Sequence, residues 1–306
     1  KGASVLRMLE QHIGPAVFRD GVRAYLRAHA YGNADTKDLW VSLGQAAKQA
    51  VPDLMDGWIF QPGYPLVTVR QEHATEIVLS QQRFTYLSSS DATESCWQIP
   101  VPIRIAAAGA VEHRRLLLTD RDMRVSLPNG FRHLLVNEAG HGFYRVRYDS
   151  ALLRRILDAG VGQLAPSERF GLVSDVWATT VSGLTPLSDY LQLTSSFAGE
   201  RDKNVWAVLL DSFSFLNRII PDADRPVLEA FLRARLGGAV GDGGDGRESH
   251  GATVGQVDRI IGEVLRIAHD RHGTHRLLST ARLGASARTF DLQTSKLPRD
   301  RARRHA

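Results

Sequence analysis

Leu54-Met55-Asp56-Gly57-Trp58-Ile59-Phe60-Gln61-Pro62-Gly63-Tyr64-Pro65-Leu66-Val67-Thr68-Val69-Arg70 carries a change of period. Leu54, Met55 and Trp58 stand at helical spacing, and Gln61-Pro62-Gly63 stops the helix. From Leu66 the chain alternates: Leu66, Thr68 and Arg70 face one way, Val67 and Val69 the other. That is strand spacing. A helical segment therefore meets a sheet near residue 62.

Upstream of this point the helical spacing persists. Val5, Leu6, Leu9 and Ile13 form one stripe, broken by Gly14-Pro15. Pro15 suits a first helical turn, because its missing N–H would be unpaired there anyway. Phe18, Val22, Tyr25 and Leu26 make a second stripe, which Tyr31-Gly32-Asn33 ends. Thr36 or Asp35 can cap a third helix bearing Leu39, Trp40 and Leu43.

Downstream, period 2 holds as far as Tyr148. Trp97, Ile99, Val101, Ile103 and Ile105 share one strand face, with Pro100 and Pro102 on the other. Two prolines with their nitrogens on one side predict a sheet edge or a poorly paired stretch there. Further strands fit 115–119, 123–127, 133–137 and 143–148. About seven short strands without intervening helices predict an antiparallel sandwich. Helical spacing then returns: Leu152, Leu153, Ile156 and Leu157, then Leu172, Val176 and Trp177, then three more stripes ending at Phe231 and Leu232. Short helices with Gly and Pro turns predict a bundle or solenoid.

The expected organisation is multidomain α and β. Residues 1–62 are helical, 63–149 a β-sandwich and 150–236 a helical domain, while 237–306 form a Gly-rich and then Arg-rich tail. Eight of the nineteen residues 237–255 are glycine. Residues 256–268 retain one helical stripe: Val257, Ile260, Ile261, Val264 and Leu265. The 306-residue chain has a net charge of +5, yet segment 271–306 alone is +7, so residues 1–270 are net −2. The basic character belongs to the tail, expected to be a solvated end. No aromatic ladder is interleaved with its arginines, which argues against a single-strand nucleic-acid platform.

With 43% apolar and 23% charged residues, the chain is neither disordered throughout nor a disulfide scaffold. No run approaches the ~20 apolar residues of a membrane span. The single cysteine, Cys96, excludes an internal disulfide and fits a reducing compartment, so a cytoplasmic location is expected. Lys1-Gly2-Ala3 runs straight into an amphipathic pattern, and a piece of a longer protein is expected.

Familiar catalytic motifs are missing from the sequence. There is no His-Glu-x-x-His, no Gly-x-Ser-x-Gly and no phosphate-binding Gly-x-x-x-x-Gly-Lys-Ser/Thr. His269, His272 and His275 are spaced by three. In a helix neighbouring members of the trio would be offset by about 60° and the outer pair by about 120°, and Gly273 disfavours a helix, so solvated histidines are expected rather than metal ligands. Gly241-Asp242-Gly243-Gly244-Asp245-Gly246 follows no strand and reads as a linker. Cys96, with no evident histidine partner, reads as a structural thiol.

The larger pattern carries more. Lys1-Gly2-Ala3-Ser4-Val5-Leu6-Arg7-Met8-Leu9 resembles the Lys-Gly-Ala helix of the M1 family of zinc aminopeptidases, of the aminopeptidase N and puromycin-sensitive types. Ala30-Tyr31-Gly32-Asn33-Ala34 with Asp38-Leu39-Trp40 is similar to a segment that follows it in that family. So are Met55-Asp56-Gly57-Trp58 and Gln61-Pro62-Gly63-Tyr64-Pro65-Leu66-Val67. Gln82-Arg83-Phe84, Trp97-Gln98-Ile99-Pro100-Val101, Asn137 with Gly142-Phe143-Tyr144-Arg145-Val146 and Tyr148, and Pro166-Ser167-Glu168-Arg169 through Asp175 continue the match in order. It covers about residues 1–236.

The resemblance implies the last helices of a thermolysin-like catalytic domain, then the sandwich, then the start of a C-terminal helical domain. It implies a zinc-dependent enzyme that removes N-terminal residues from peptides. The family's zinc ligands, general base and transition-state tyrosine would all lie upstream of Lys1. Accordingly no catalytic, cofactor-binding or metal residue is assigned in this chain, and Zn2+ is expected only in the parent protein. Lys1 and Ala3 would line the floor beneath that tyrosine, or simply pack. The implied partners are peptide substrates and the catalytic domain, not a membrane or nucleic acid. A non-catalytic scaffold of the same architecture is the rival reading. After about Arg235 the resemblance is expected to fail, through either a shifted reading frame or a divergent end. Without the catalytic domain, the stripes of residues 1–61 are expected to expose a large apolar patch.

Overall fold

A computed structural model describes residues 1–87 and 95–236, the last four without side-chain detail. Four helices come first: α1 (Gly2–Ile13), α2 (Pro15–Ala28), α3 (Thr36–Ala47) and α4 (Val51–Phe60). Gly14 separates α1 from α2 at φ 96°, a conformation that side chains with a Cβ rarely adopt, and Pro15 opens α2. Between the two candidate caps of α3, the chain uses Asp35. Its carboxylate accepts from Lys37 N at 3.4 Å, while Asp38 reaches back to Asp35 N at 2.7 Å. The backbones of α2 and α3 approach closely at Gly21, where a Cβ would lie 3.1 Å from Leu43 Cα and 2.8 Å from Leu43 Cδ2. Ser42 Oγ donates across the same contact to the Gly21 carbonyl at 2.9 Å.

Seven strands follow: β1 (Pro65–His73), β2 (Glu76–Arg83), β3 (Ile99–Ala107), β4 (Ala110–Leu118), β5 (Asp122–Ser126), β6 (His133–Val136) and β7 (Arg145–Tyr148). They form two sheets, β5-β2-β1-β7 and β4-β3-β6. The pairing is antiparallel except at one place, which corrects the expectation of a wholly antiparallel sandwich. β7 runs parallel to β1, from Leu66↔Arg145 to Val69↔Tyr148. The chain leaves β2, builds the second sheet, and returns along the free side of β1. This long excursion supplies the crossover that a parallel pair needs.

β3 occupies the centre of its sheet, and the two prolines are still accommodated. Ala106 accepts from Arg132 N, so even-numbered residues of β3 direct their polar groups toward β6. The β6 pairing reaches only from Ala106 to Ile103. Pro100 and Pro102 therefore aim their missing donors past the end of β6, at the poorly paired stretch the sequence predicts. Val67, Val69, Ile77 and Leu79 from one sheet and Ile99, Val101, Ile103 and Ile105 from the other lie in one buried core.

Five helices complete the described chain: α5 (Ser150–Ala159), α6 (Pro166–Val181), α7 (Leu187–Ser195), α8 (Lys203–Ile219) and α9 (Arg225–Leu236). α6 covers the outer face of β1, so Leu66 is as buried as Val67 and packs with Phe84 and Ala178. Two carboxylates of α6 anchor it on the strands. Glu168 binds Arg104 of β3 and Asp175 binds Arg145 of β7, and their separation of seven residues puts both on one helix face. The contiguous apolar core runs from Val5 of α1 through both sheets to Phe231 of α9.

That continuity revises the expectation for residues 1–61. Most of their stripes are already covered: Val5, Met8, Leu9, Trp40, Leu43, Leu54, Met55 and Trp58 are buried. The apolar residues left exposed are fewer, chiefly Leu26, Tyr31, Val41, Ile59 and Phe60.

Candidate functional site

A groove of about 530 Å3 opens where the start of α1 meets α3 and α4. Helical spacing brings Val5 of α1, Trp40 of α3, and Met55 and Trp58 of α4 to its floor, where all four are buried. Ile59 lines it while 40% exposed. Lys1, Tyr25, Asp35 and Thr36 supply its polar rim.

Lys1 anchors one end. Its Nζ donates to the Gln61 carbonyl at 3.3 Å, and partial burial lowers its pKa from the ordinary lysine value. Gln61 passes the contact on, its Nε2 donating to the Cys96 carbonyl at 3.0 Å. Trp58 Nε1 donates to the Gln98 carbonyl at 3.0 Å, and its ring lies 6.4 Å from Trp97 and 6.3 Å from Phe143. The beginning of α1, the end of α4 and the segment entering β3 are thus tied together beside the groove. An apolar floor with a lysine at one end and an aspartate on the rim can hold a ligand or a protein segment.

Of the two residues considered for a floor role, Lys1 lines the groove, whereas Ala3 is exposed and does not. Cys96 donates its thiol to the Thr119 carbonyl at 3.2 Å, and burial pushes its pKa up. A thiol so placed stays protonated and lacks the activation of a nucleophile. His269, His272, His275, the glycine-rich stretch 241–246 and the arginine-rich tail lie outside the described residues. Among the described residues no three His, Cys, Asp or Glu side chains converge into a metal-ligand set. No helix among the described residues is long and apolar enough to cross a membrane.

Gln61 had no role assigned from sequence, although it stands in a motif. A glutamine after a helix looks like any turn residue until its partner, Cys96, is brought beside it by the sheet.

Two family models match the chain in order. The peptidase family M1 domain covers residues 1–58, and the ERAP1-like C-terminal domain covers residues 133–256. The first ends within α4, beside the groove. The second starts at β6 and runs through the glycine-rich stretch, so the resemblance does not stop near Arg235 as the sequence reading held. Curated proteins agree. The puromycin-sensitive aminopeptidase of Caenorhabditis elegans is 32% identical over 222 residues, which is 71% of this chain and 23% of that protein. Aminopeptidase M1 of Arabidopsis thaliana is 31% identical over 253 residues, 78% of this chain and 28% of the relative. The tricorn protease-interacting factor F2 of Thermoplasma volcanium is 31% identical over 223 residues, 73% and 27% respectively. The chain spans about a quarter of the length of these relatives. An M1 peptidase model followed by an ERAP1-like C-terminal model, with aminopeptidases aligned across most of the chain, place it in the M1 aminopeptidase family.

Proposed function

We propose that this chain is the C-terminal portion of a zinc metallo-aminopeptidase that hydrolyses N-terminal residues from peptides. Residues 1–62 complete the catalytic domain, 63–149 serve as a spacer, and the helices from 150 onward help to enclose the substrate. The supporting observation is the order of the two family matches, with the groove at the end of the first. The zinc ion and its activated water belong to the upstream catalytic domain, where the metal would supply the nucleophile. The residues of this chain hold and wall that site rather than react in it, and the chain alone is inactive. Its partner is the catalytic domain, whose apolar surface the Val5–Trp58 groove receives. We place the parent in the cytoplasm on the strength of its single cysteine in this portion.

Reconstitution tests this reading. The purified chain is mixed with the separately produced upstream portion, and hydrolysis of an aminoacyl-coumarin is followed. Turnover that needs both parts and zinc supports the proposal. Turnover unchanged by leaving this chain out contradicts it.

A further inference from the structure

α1 meets the strands along a seam. Met8 and Gln11 border it on the helix side, Arg115 of β4 and the β6–β7 connection at His141 and Gly142 on the other. The helix is held there by its apolar stripe, in which Val5, Met8, Leu9 and Ile13 are buried. Met8 also accepts from Phe143 N at 3.4 Å, through its sulfur. The ion pair that α1 makes among the described residues, Arg7–Glu10 at 2.6 Å, lies within the helix and does not cross the seam.

The titratable groups that face each other across the seam are pairs of one sign. His12, in the last turn of α1, is partly buried, with Arg115 of β4 acting on it from across the seam and the Gln49 side chain hydrogen-bonded to it. Burial, joined by Arg115, outweighs Gln49 and holds this ring below the ordinary imidazole value. His141 is also partly buried and faces Arg7 and Glu10 of α1. Burial, joined by Arg7, outweighs Glu10 and again disfavours the charged ring. Each pair therefore reaches from the helix to the strand side, in opposite senses: the histidine stands on the helix in one and on the connection in the other. Glu10 is the one carboxylate acting on either ring, and Arg7 already engages it.

We propose that this seam is an acid-sensitive joint: protonation of His12 against Arg115 and of His141 against Arg7 loosens α1 from the strands. Once the helix lifts away, both rings are solvated and take up a proton at higher pH than they do when packed. Docking is therefore complete above the ordinary value of 6.5 and weakens as pH falls below it. The seam sets the first helix against the sheets, so acid alters how the N-terminal helices sit on the rest of the chain. The joint is separate from the Lys1 groove and does not depend on the aminopeptidase reading.

Two measurements on the whole chain test it: proton NMR titration of the His12 and His141 rings, and hydrogen exchange of the α1 amides. Both rings should titrate below 6.5. Arg115→Gln should raise the midpoint of His12 alone, and Arg7→Gln that of His141 alone. Protection of the α1 amides, corrected for intrinsic exchange, should fall about tenfold or more between about pH 7 and 5, while α8, which carries no histidine, changes less. The double variant His12→Gln, His141→Gln should lose most of that fall. A midpoint at or above 6.5 for either ring in the parent chain overturns the proposal, and this reading needs no variant. Midpoints unmoved by the arginine substitutions, or α1 protection that is constant with pH or falls equally in the double variant, overturn it as well.

Discussion

Glu168 has a side chain only 2% exposed, yet four donors converge on it. Arg104 supplies two, at 3.1 and 2.9 Å, and the backbone N–H groups of Ala139 and Ala165 approach at 3.0 and 2.9 Å. Burial alone would raise its pKa; the hydrogen bonds from Arg104, Ala139 and Ala165 together outweigh burial and lower it. The unfolded chain therefore takes up this proton at a higher pH than the folded one. The stabilisation is present above the unfolded value and is lost as pH falls through the folded one. Glu168→Gln should lower stability near neutral pH by about 1–3 kcal/mol, read from urea unfolding. It should also flatten the decline in stability as pH falls below the ordinary glutamate value of 4.5. Parallel pH curves for the two proteins would refute the assignment. Glu168 was visible in the sequence as a motif residue, but its role was not. Its partner Arg104 stands 64 residues away in a strand, and only the docking of α6 on the sheet joins them.

Elements were legible where one face of a segment meets one environment. The stripes of α1 to α4, the Gly14-Pro15 break and the inward face of β3 follow from spacing alone. Legibility failed where tertiary context added a second environment. β1 alternates, which predicts one solvated face, yet α6 covers that face and buries Leu66. The parallel β1–β7 pair has no local signal, because a four-residue strand looks the same in either direction. Gly21 reads as an indifferent glycine inside α2 until Leu43 of α3 is seen against it. Gly21→Val should cost about 1–3 kcal/mol, since the neighbouring backbone of α3 must move to admit the side chain. A melting temperature equal to that of the parent chain would show that the two helices are not held at this separation. Asp35→Ala should cost about 1 kcal/mol through the lost cap of α3, measurable as a smaller shift in the same assay.

Across the whole molecule the distribution of apolar surface is uneven. The core is continuous from Val5 to Phe231, while Leu26, Ile59 and Phe60 remain exposed on the N-terminal helices and Tyr31 in the turn between α2 and α3. Exposed apolar surface concentrated on one part of a chain marks an interaction face. The isolated chain should self-associate with rising concentration, as seen by light scattering. The double variant Leu26→Ser, Phe60→Ser should reduce that association while preserving the helical circular-dichroism signal. A monodisperse monomer at every concentration would contradict an interaction face there. The groove itself was not legible in the sequence. The sequence shows no catalytic motif, and the Lys1–Gln61–Cys96 tie that frames the groove joins residues that spacing cannot connect.

The most direct measurement of the central proposal is a turnover assay on the pure chain with aminoacyl-coumarin substrates, with and without added zinc. The account predicts no hydrolysis above the buffer rate in either condition, because the proposal assigns the reacting groups to the catalytic domain. Zinc-dependent hydrolysis that a chelator abolishes would contradict it, and would require a catalytic centre within this chain.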